Sequence, residues 1–378
     1  MHQTQADKFA QSVPPRELGV KRGWRYYGRR MLIDIAVAYV LLCFGIYLIQ
    51  KRLVYQPTVQ TSLSPRDFGF APEQAEGIET MTSDSITLGG WYVHGKRGHP
   101  LANVSNESGA ALGSTGSALA KAGLIDLFFC GNGGNRSDRM DTFRRLSSLG
   151  AHVVCFDYRG FGDSLGSPDE EGLARDARAA WDFLVGKGCS PETIIIHGES
   201  LGSAVAVRLT AELCAGKTPP AGLILEAAFT RLGAVAGKRY PFLPVSILLT
   251  QRFPSINRMP SITCPLLMLH GLQDDVVPVA LGRELFAAGP GQSDSGILSE
   301  FVELPACGHN DIGQSDTELY DTAVAGFYKK VCPALDLPGT QSQERRKRPP
   351  PRERHLPGAP GDERKSSPHA PREGKTPE

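Results

Sequence analysis

The stretch Ile194-Ile195-Ile196-His197-Gly198-Glu199-Ser200-Leu201-Gly202-Ser203-Ala204 reads as a buried strand, a one-residue turn and the start of a helix. Three β-branched residues in a row suit a strand covered on both faces. Gly198-Glu199-Ser200-Leu201-Gly202 has the G-x-S-x-G spacing of a nucleophile elbow. The turn is so tight that the positions two before and two after the serine crowd each other, and both favour glycine. The serine is forced into a strained conformation with its hydroxyl exposed at the carboxyl edge of the sheet. The helix expected from Ser200 to about Cys214 points its first N–H groups at the place where an oxyanion would form.

Strands and helices alternate on both sides of this elbow. Leu124–Cys130, Ala151–Asp157, Gly222–Glu226, Cys264–His270 and Glu300–Leu304 have the apolar character of strands. Helical spacing covers about 138–149, Glu170–Leu184 and about 315–328. This βαβα pattern predicts a mostly parallel sheet with helices on both faces. Met81–Val93 reads as a preceding hairpin. Residues 228–262 break the pattern with Pro241, Pro244, Pro254 and Pro260 around an apolar run. They are expected to form a short cap whose apolar residues either line an acyl pocket or pack on the domain.

A serine hydroxyl is a weak nucleophile at neutral pH and needs a base, itself oriented by an acid. Ligands of an open α/β sheet bind outside the carboxyl ends of its strands. The loops at those ends carry Asn132 in Gly131-Asn132-Gly133-Gly134-Asn135, the adjacent Asp274 and Asp275, and His309. Asp274 is nearer its strand and is the preferred acid. His309 is the candidate base. Leu201 and Asn132 are the candidate oxyanion donors, since glycines around Asn132 let the backbone approach a substrate oxygen. His197 and His270 precede glycines at strand ends and read as core residues bonded to nearby backbone. The glycine-rich loop lacks the Lys-Ser/Thr of a phosphate-binding loop. No metal-ligand cluster competes, so this chemistry calls for no metal and no cofactor.

The 378 residues carry eight Cys, without C-x-x-C or Cys/His metal spacing, and a net charge of +1. The charge implies no general affinity for nucleic acid. Cys130, Cys155 and Cys264 lie in apolar runs and read as core thiols. Residues 1–30 end in a basic segment (Lys21, Arg22, Arg25, Arg29, Arg30). The apolar run Met31 to about Ile49 follows, and residues 31–50 are long enough to span a bilayer core. Lys51 and Arg52 follow it without a small-residue cleavage site, so the run reads as an uncleaved anchor. The denser basic charge before the span predicts a cytoplasmic N-terminus and an extracytoplasmic catalytic domain over 51–332. An insertion at 95–120 holds sequons at Asn103 and Asn106. Residues 333–378 form a Pro- and Arg-rich tail that cannot bury enough surface to fold.

Several runs together resemble the α/β-hydrolase superfamily. The likeness is to its single-pass membrane-anchored serine hydrolases with a serine-aminopeptidase-like domain. The runs are DYRGFGDSLG at 157–166, GESLG at 198–202, FPSIN at 253–257, HGLQD at 270–274 and GHND at 308–311. RLVYQP at 52–57, just after the anchor, matches as well. The resemblance covers about residues 30–332. It implies that Asp274 and His309 complete a triad with Ser200, in the chain order Ser, Asp, His. It further implies hydrolysis of an acyl ester, thioester or lipid substrate through an acyl-enzyme. A peptidase, an acyltransferase and a non-catalytic interaction protein on the same fold remain alternatives. The family usually has His-Gly-Asn where this chain has Cys130-Gly131-Asn132.

Overall fold

The computed structural model describes residues 23–95 and 123–333. The two sequons, nearly all of the expected insertion, the tail beyond Pro333 and the first 22 residues lie outside the described residues.

Eight strands form one sheet: β1 (Ala75–Met81), β2 (Thr87–Val93), β3 (Ile125–Phe129), β4 (His152–Phe156), β5 (Ile194–Glu199), β6 (Gly222–Glu226), β7 (Leu266–Gly271) and β8 (Glu300–Leu304). Their spatial order is β8-β7-β6-β5-β3-β4-β2-β1. Strands β3 to β8 pair in parallel, and β2 is antiparallel to both β1 and β4. The opening hairpin begins at Ala75, earlier than Met81, because Ala75 and Ile78 already point into the core. The helices between strands are α2 (Met140–Ser148), α3 (Glu170–Gly186), α4 (Leu201–Ala215), α8 (Val279–Ala287) and α9 (Thr317–Val331), with α1 and α5 to α7 described below. Sequence periodicity did not pick out α8.

The elbow strand shows why the sheet is buried twice. Ile194 and Ile196 join the core layer under α3 and α4, while Ile195 joins the layer under α2 and α9. All three are fully buried. Full burial of such a side chain contributes about 1.5–3 kcal/mol.

His197 differs from expectation. Its ring bonds to carboxylates, not to backbone: Nδ1 lies 3.0 Å from Asp126 Oδ2 on β3, and Nε2 lies 3.0 Å from Glu226 Oε1 on β6. From α9, Tyr320 Oη donates to Glu226 at 2.6 Å and Tyr328 Oη donates to Asp126 at 2.5 Å. Burial disfavours the imidazolium, but the two carboxylates outweigh it and push the pKa of His197 up to about 10. A pKa raised above the unfolded value of about 6.5 contributes stability that is complete below pH 6.5 and is lost as pH rises toward 10. His197→Ala leaves two buried carboxylates without a cation and is expected to cost about 3–5 kcal/mol. Urea unfolding at pH 7 measures it. A loss below 1 kcal/mol contradicts the charged network.

Helix α1 spans Trp24–Val54, 31 residues, and so extends beyond the apolar run at both ends. It is long and apolar enough to cross a membrane. Most of its large apolar side chains, including Leu32, Val40 and Leu48, are exposed. Its C-terminal end is tied to the domain. Tyr55 is buried in the core, and its hydroxyl donates to Gln251 Oε1 at 2.8 Å. Gln56 and Pro57 pair in parallel with Gly133 and Gly134.

The 228–262 region contains three short α-helices, α5 (Leu232–Arg239), α6 (Val245–Leu248) and α7 (Ser255–Arg258), and a 3₁₀ turn at Met259–Ser261. Its apolar residues divide. Leu232, Ala234, Val235 and Ile256 pack on the core, whereas Tyr240, Phe242 and Ile247 are exposed.

Candidate active site

Ser200 occupies the link between β5 and α4 with φ 52° and ψ −115°. This is a left-handed φ in a non-glycine residue, held by its surroundings. The Ser200 N–H donates to Glu226 O at 2.9 Å, and the Ser203 hydroxyl donates to Ser200 O at 2.6 Å. The flanking glycines are steric necessities. A Cβ on Gly202 would collide with the carbonyl oxygen of Phe129, and one on Gly198 with the carbonyl oxygen of Gly202.

Asp274 and His309 reach this serine from the ends of β7 and β8. Ser200 Oγ lies 3.0 Å from His309 Nε2. His309 Nδ1 lies 2.8 Å from Asp274 Oδ2. With Nδ1–H donated to the carboxylate, Nε2 is left as the acceptor facing the hydroxyl. Asp274 is 8% exposed and Ser200 9% exposed, so both work with little water around them.

The two aspartates are separated cleanly. Asp274 Oδ1 accepts from the Val276 N–H at 2.9 Å and the Val277 N–H at 2.7 Å. Burial alone would raise its pKa. The His270 and His309 rings and the Val277 N–H overcome that and hold the carboxyl well below the usual carboxylate range. Asp275 is exposed. His270 is a core residue as expected, with Nε2 donating to Val277 O at 2.8 Å. The same atom stands 3.5 Å from Asp274 Oδ2, so His270 also supports the carboxylate.

Asn132 lies in the loop after β3. The loop borders the serine, since a Cβ on Gly131 would stand 3.6 Å from Ser200 Cβ. The Asn132 side-chain amide donates to Val54 O, in the last turn of α1, at 2.8 Å, and the Asn132 backbone carbonyl accepts from the Gln56 N–H at 2.9 Å. Among the described residues, the backbone N–H groups of Leu201 and Asn132 have no hydrogen-bond acceptor. Cys130, in place of the usual histidine, is buried with its sulfur 3.5 Å from Cys155 Sγ.

Two supports were not anticipated. Arg139 grips Glu199 of the elbow with two bonds, 2.8 and 2.9 Å, beneath the Gly131 loop. Asp311 accepts from the Gly308 N–H at 2.6 Å and from the Ser315 hydroxyl at 2.6 Å, which closes the loop that presents His309. Both partners of Asp311 lie within four residues of it, so this second support is local in sequence. The Arg139 pairing spans 60 residues.

Residues 127–258 match the model of the alpha/beta hydrolase family. An uncharacterized protein of Mycobacterium tuberculosis is 37% identical over 284 residues, which is 75% of this chain and 88% of that one. The lysophosphatidylserine lipase ABHD12 of Mus musculus is 32% identical over 332 residues, covering 81% of this chain and 80% of the lipase. Among solved structures, the Pyrococcus furiosus esterase Pf2001 aligns with a TM-score of 0.52 at 20% identity, over 73% of this chain and 97% of the esterase. That likeness is one of fold. Sheet order, elbow and relatives agree: this chain belongs to the α/β-hydrolase family.

Proposed function

We propose that the chain is a membrane-anchored serine hydrolase that cleaves the acyl ester of a single-chain phospholipid. The observation that carries the reading is the continuous hydrogen-bonded line from Ser200 Oγ through His309 to Asp274. Similarity to lysophosphatidylserine lipases over most of the chain supports an ester of this class.

Ser200 Oγ attacks the ester carbonyl carbon while His309 Nε2 takes its proton. Asp274 stabilises the resulting imidazolium. The carbonyl oxygen becomes an oxyanion, held by the unpaired N–H groups of Leu201 and Asn132 at the start of α4 and in the β3 loop. Collapse breaks the ester C–O bond, and the departing alkoxide takes the proton from His309. The acyl chain stays on Ser200. Water then attacks with the same base, and free fatty acid leaves. A histidine with a carboxylate partner suffices for both proton transfers.

The basic residues of 1–30 outweigh Lys51 and Arg52, which supports a cytoplasmic N-terminus with the hydrolase domain on the far side. Protease digestion of sealed vesicles reads this orientation.

The reaction is tested with the full chain in detergent–lipid micelles, supplied in parallel with a lysophospholipid and a peptide anilide. Fatty-acid release from the lysophospholipid with an inert peptide is expected. Peptide cleavage without ester turnover contradicts it.

A further inference from the structure

The stretch 240–251 (YPFLPVSILLTQ) contains no charged residue and lies between Arg239 and Arg252. It runs alongside α1 and is fastened to it at two heights. Near the helix end, Gln50 Nε2 donates to Leu248 O at 3.2 Å, and Gln50 Oε1 accepts from the Thr250 N–H at 2.7 Å. Much earlier on α1, Tyr39 Oη donates to Phe242 O at 2.7 Å. At 1.5 Å of rise per residue, these attachments are about 16 Å apart along the helix axis. Tyr39 sits near the middle of the apolar run 31–49. A hydrocarbon layer is about 30 Å thick, so an α1 that crosses it carries Phe242 about half-way down.

The stretch is built for that environment. Phe242 is 63% exposed and Ile247 81% exposed, beside a helix whose own apolar side chains are exposed. Hydrocarbon also demands that backbone groups be paired. Six of the eight N–H groups in 240–249, those of Tyr240, Leu243, Val245, Ile247, Leu248 and Leu249, donate to carbonyls within 236–245. Pro241 and Pro244 have no N–H to satisfy. The Tyr39 hydroxyl, a polar group within the apolar run, finds its acceptor in this stretch.

We infer that residues 240–249 are immersed in the bilayer leaflet on the hydrolase side, and that the protein draws its substrate laterally from that leaflet. The occupant of this apolar face is phospholipid acyl chain, because the face is continuous with that of α1. Asn132 binds Val54 O, only about one helical turn beyond Gln50, which brings the serine site close to the membrane surface. The second half of the inference rests on the serine-hydrolase reading.

The first half is tested in nanodiscs of phosphatidylcholine brominated in its acyl chains. Phe242→Trp and Ile247→Trp are each read as added emission over the three native Trp residues. Strong quenching by the brominated chains, with little quenching by aqueous acrylamide, is expected. Leu298→Trp, at a 66% exposed position on a hydrolase-domain loop, serves as the water-facing control. Phe242→Trp behaving like Leu298→Trp overturns the immersion.

The second half is tested with the double variant Phe242→Asp and Ile247→Asp. Its turnover of a vesicle-embedded single-chain phospholipid is expected to fall about tenfold relative to turnover of a soluble short-chain ester, a difference of about 1.4 kcal/mol. An unchanged ratio overturns lateral substrate entry. Wild-type turnover of the soluble ester reports the hydrolase reading by itself. Its absence sinks that reading and leaves the quenching result standing.

Discussion

Ser200→Ala is expected to remove ester turnover almost completely, by about 10⁶-fold in kcat, because members of a triad act as a unit. The substitution deletes one oxygen whose partner is His309 Nε2 at 3.0 Å. The backbone bonds that hold the elbow, to Glu226 O and from the Ser203 hydroxyl, do not involve that oxygen. The positive φ of residue 200 burdens alanine much as it burdens serine. Stability is therefore expected to stay within about 0.5–1 kcal/mol of wild type. Initial rates on a short-chain ester, together with a urea midpoint, separate the two effects. Turnover within tenfold of wild type removes Ser200 from the chemistry. A large loss of stability makes the residue structural.

The second large effect belongs to Asp274. Asp274→Asn keeps the side-chain shape and can still accept from the Val276 and Val277 N–H groups through its oxygen. It replaces the negative charge facing His309 Nδ1, favours the wrong tautomer and no longer stabilises an imidazolium. A loss of about 10⁴-fold in kcat is expected with the fold intact. Asp275→Asn is the matched control. Asp275 is exposed on the same loop, and its variant is expected to retain wild-type turnover. The reverse pattern, with a large loss only at Asp275, overturns the assignment of the acid.

How much of this was readable in advance follows from the range of the forces involved. The elbow could be read because its cause is local: two glycines, one serine and a run of three isoleucines lie within nine residues. The places of Asp274 and His309 followed from strand ends, since parallel strands bring their carboxyl ends to one edge. His197 could not be assigned this way. Its partners are Asp126, 71 residues away, and Glu226, 29 residues away, with tyrosines from α9 behind them. A strand pattern shows that a histidine is buried but not which side chains on neighbouring strands meet it. The attachment of 240–251 to α1 was out of reach for the same reason. The Tyr39–Phe242 bond joins residues 203 apart, and apolar residues in the 228–262 region fit a pocket, a core or a membrane equally well by composition. Helix α8 was missed because Pro278, next to an apolar stretch, marks a turn and a helix start alike.

With His309 Nε2 at 3.0 Å from its Oγ, Ser200 is proposed as an activated nucleophile. The most direct test is a fluorophosphonate probe applied to the full chain in membranes, followed by digestion and mass spectrometry of the labelled peptide. A single phosphonyl adduct on Ser200 is expected, absent from Ser200→Ala and greatly slowed in His309→Ala. An adduct on another residue, or none on folded protein that hydrolyses esters, contradicts it.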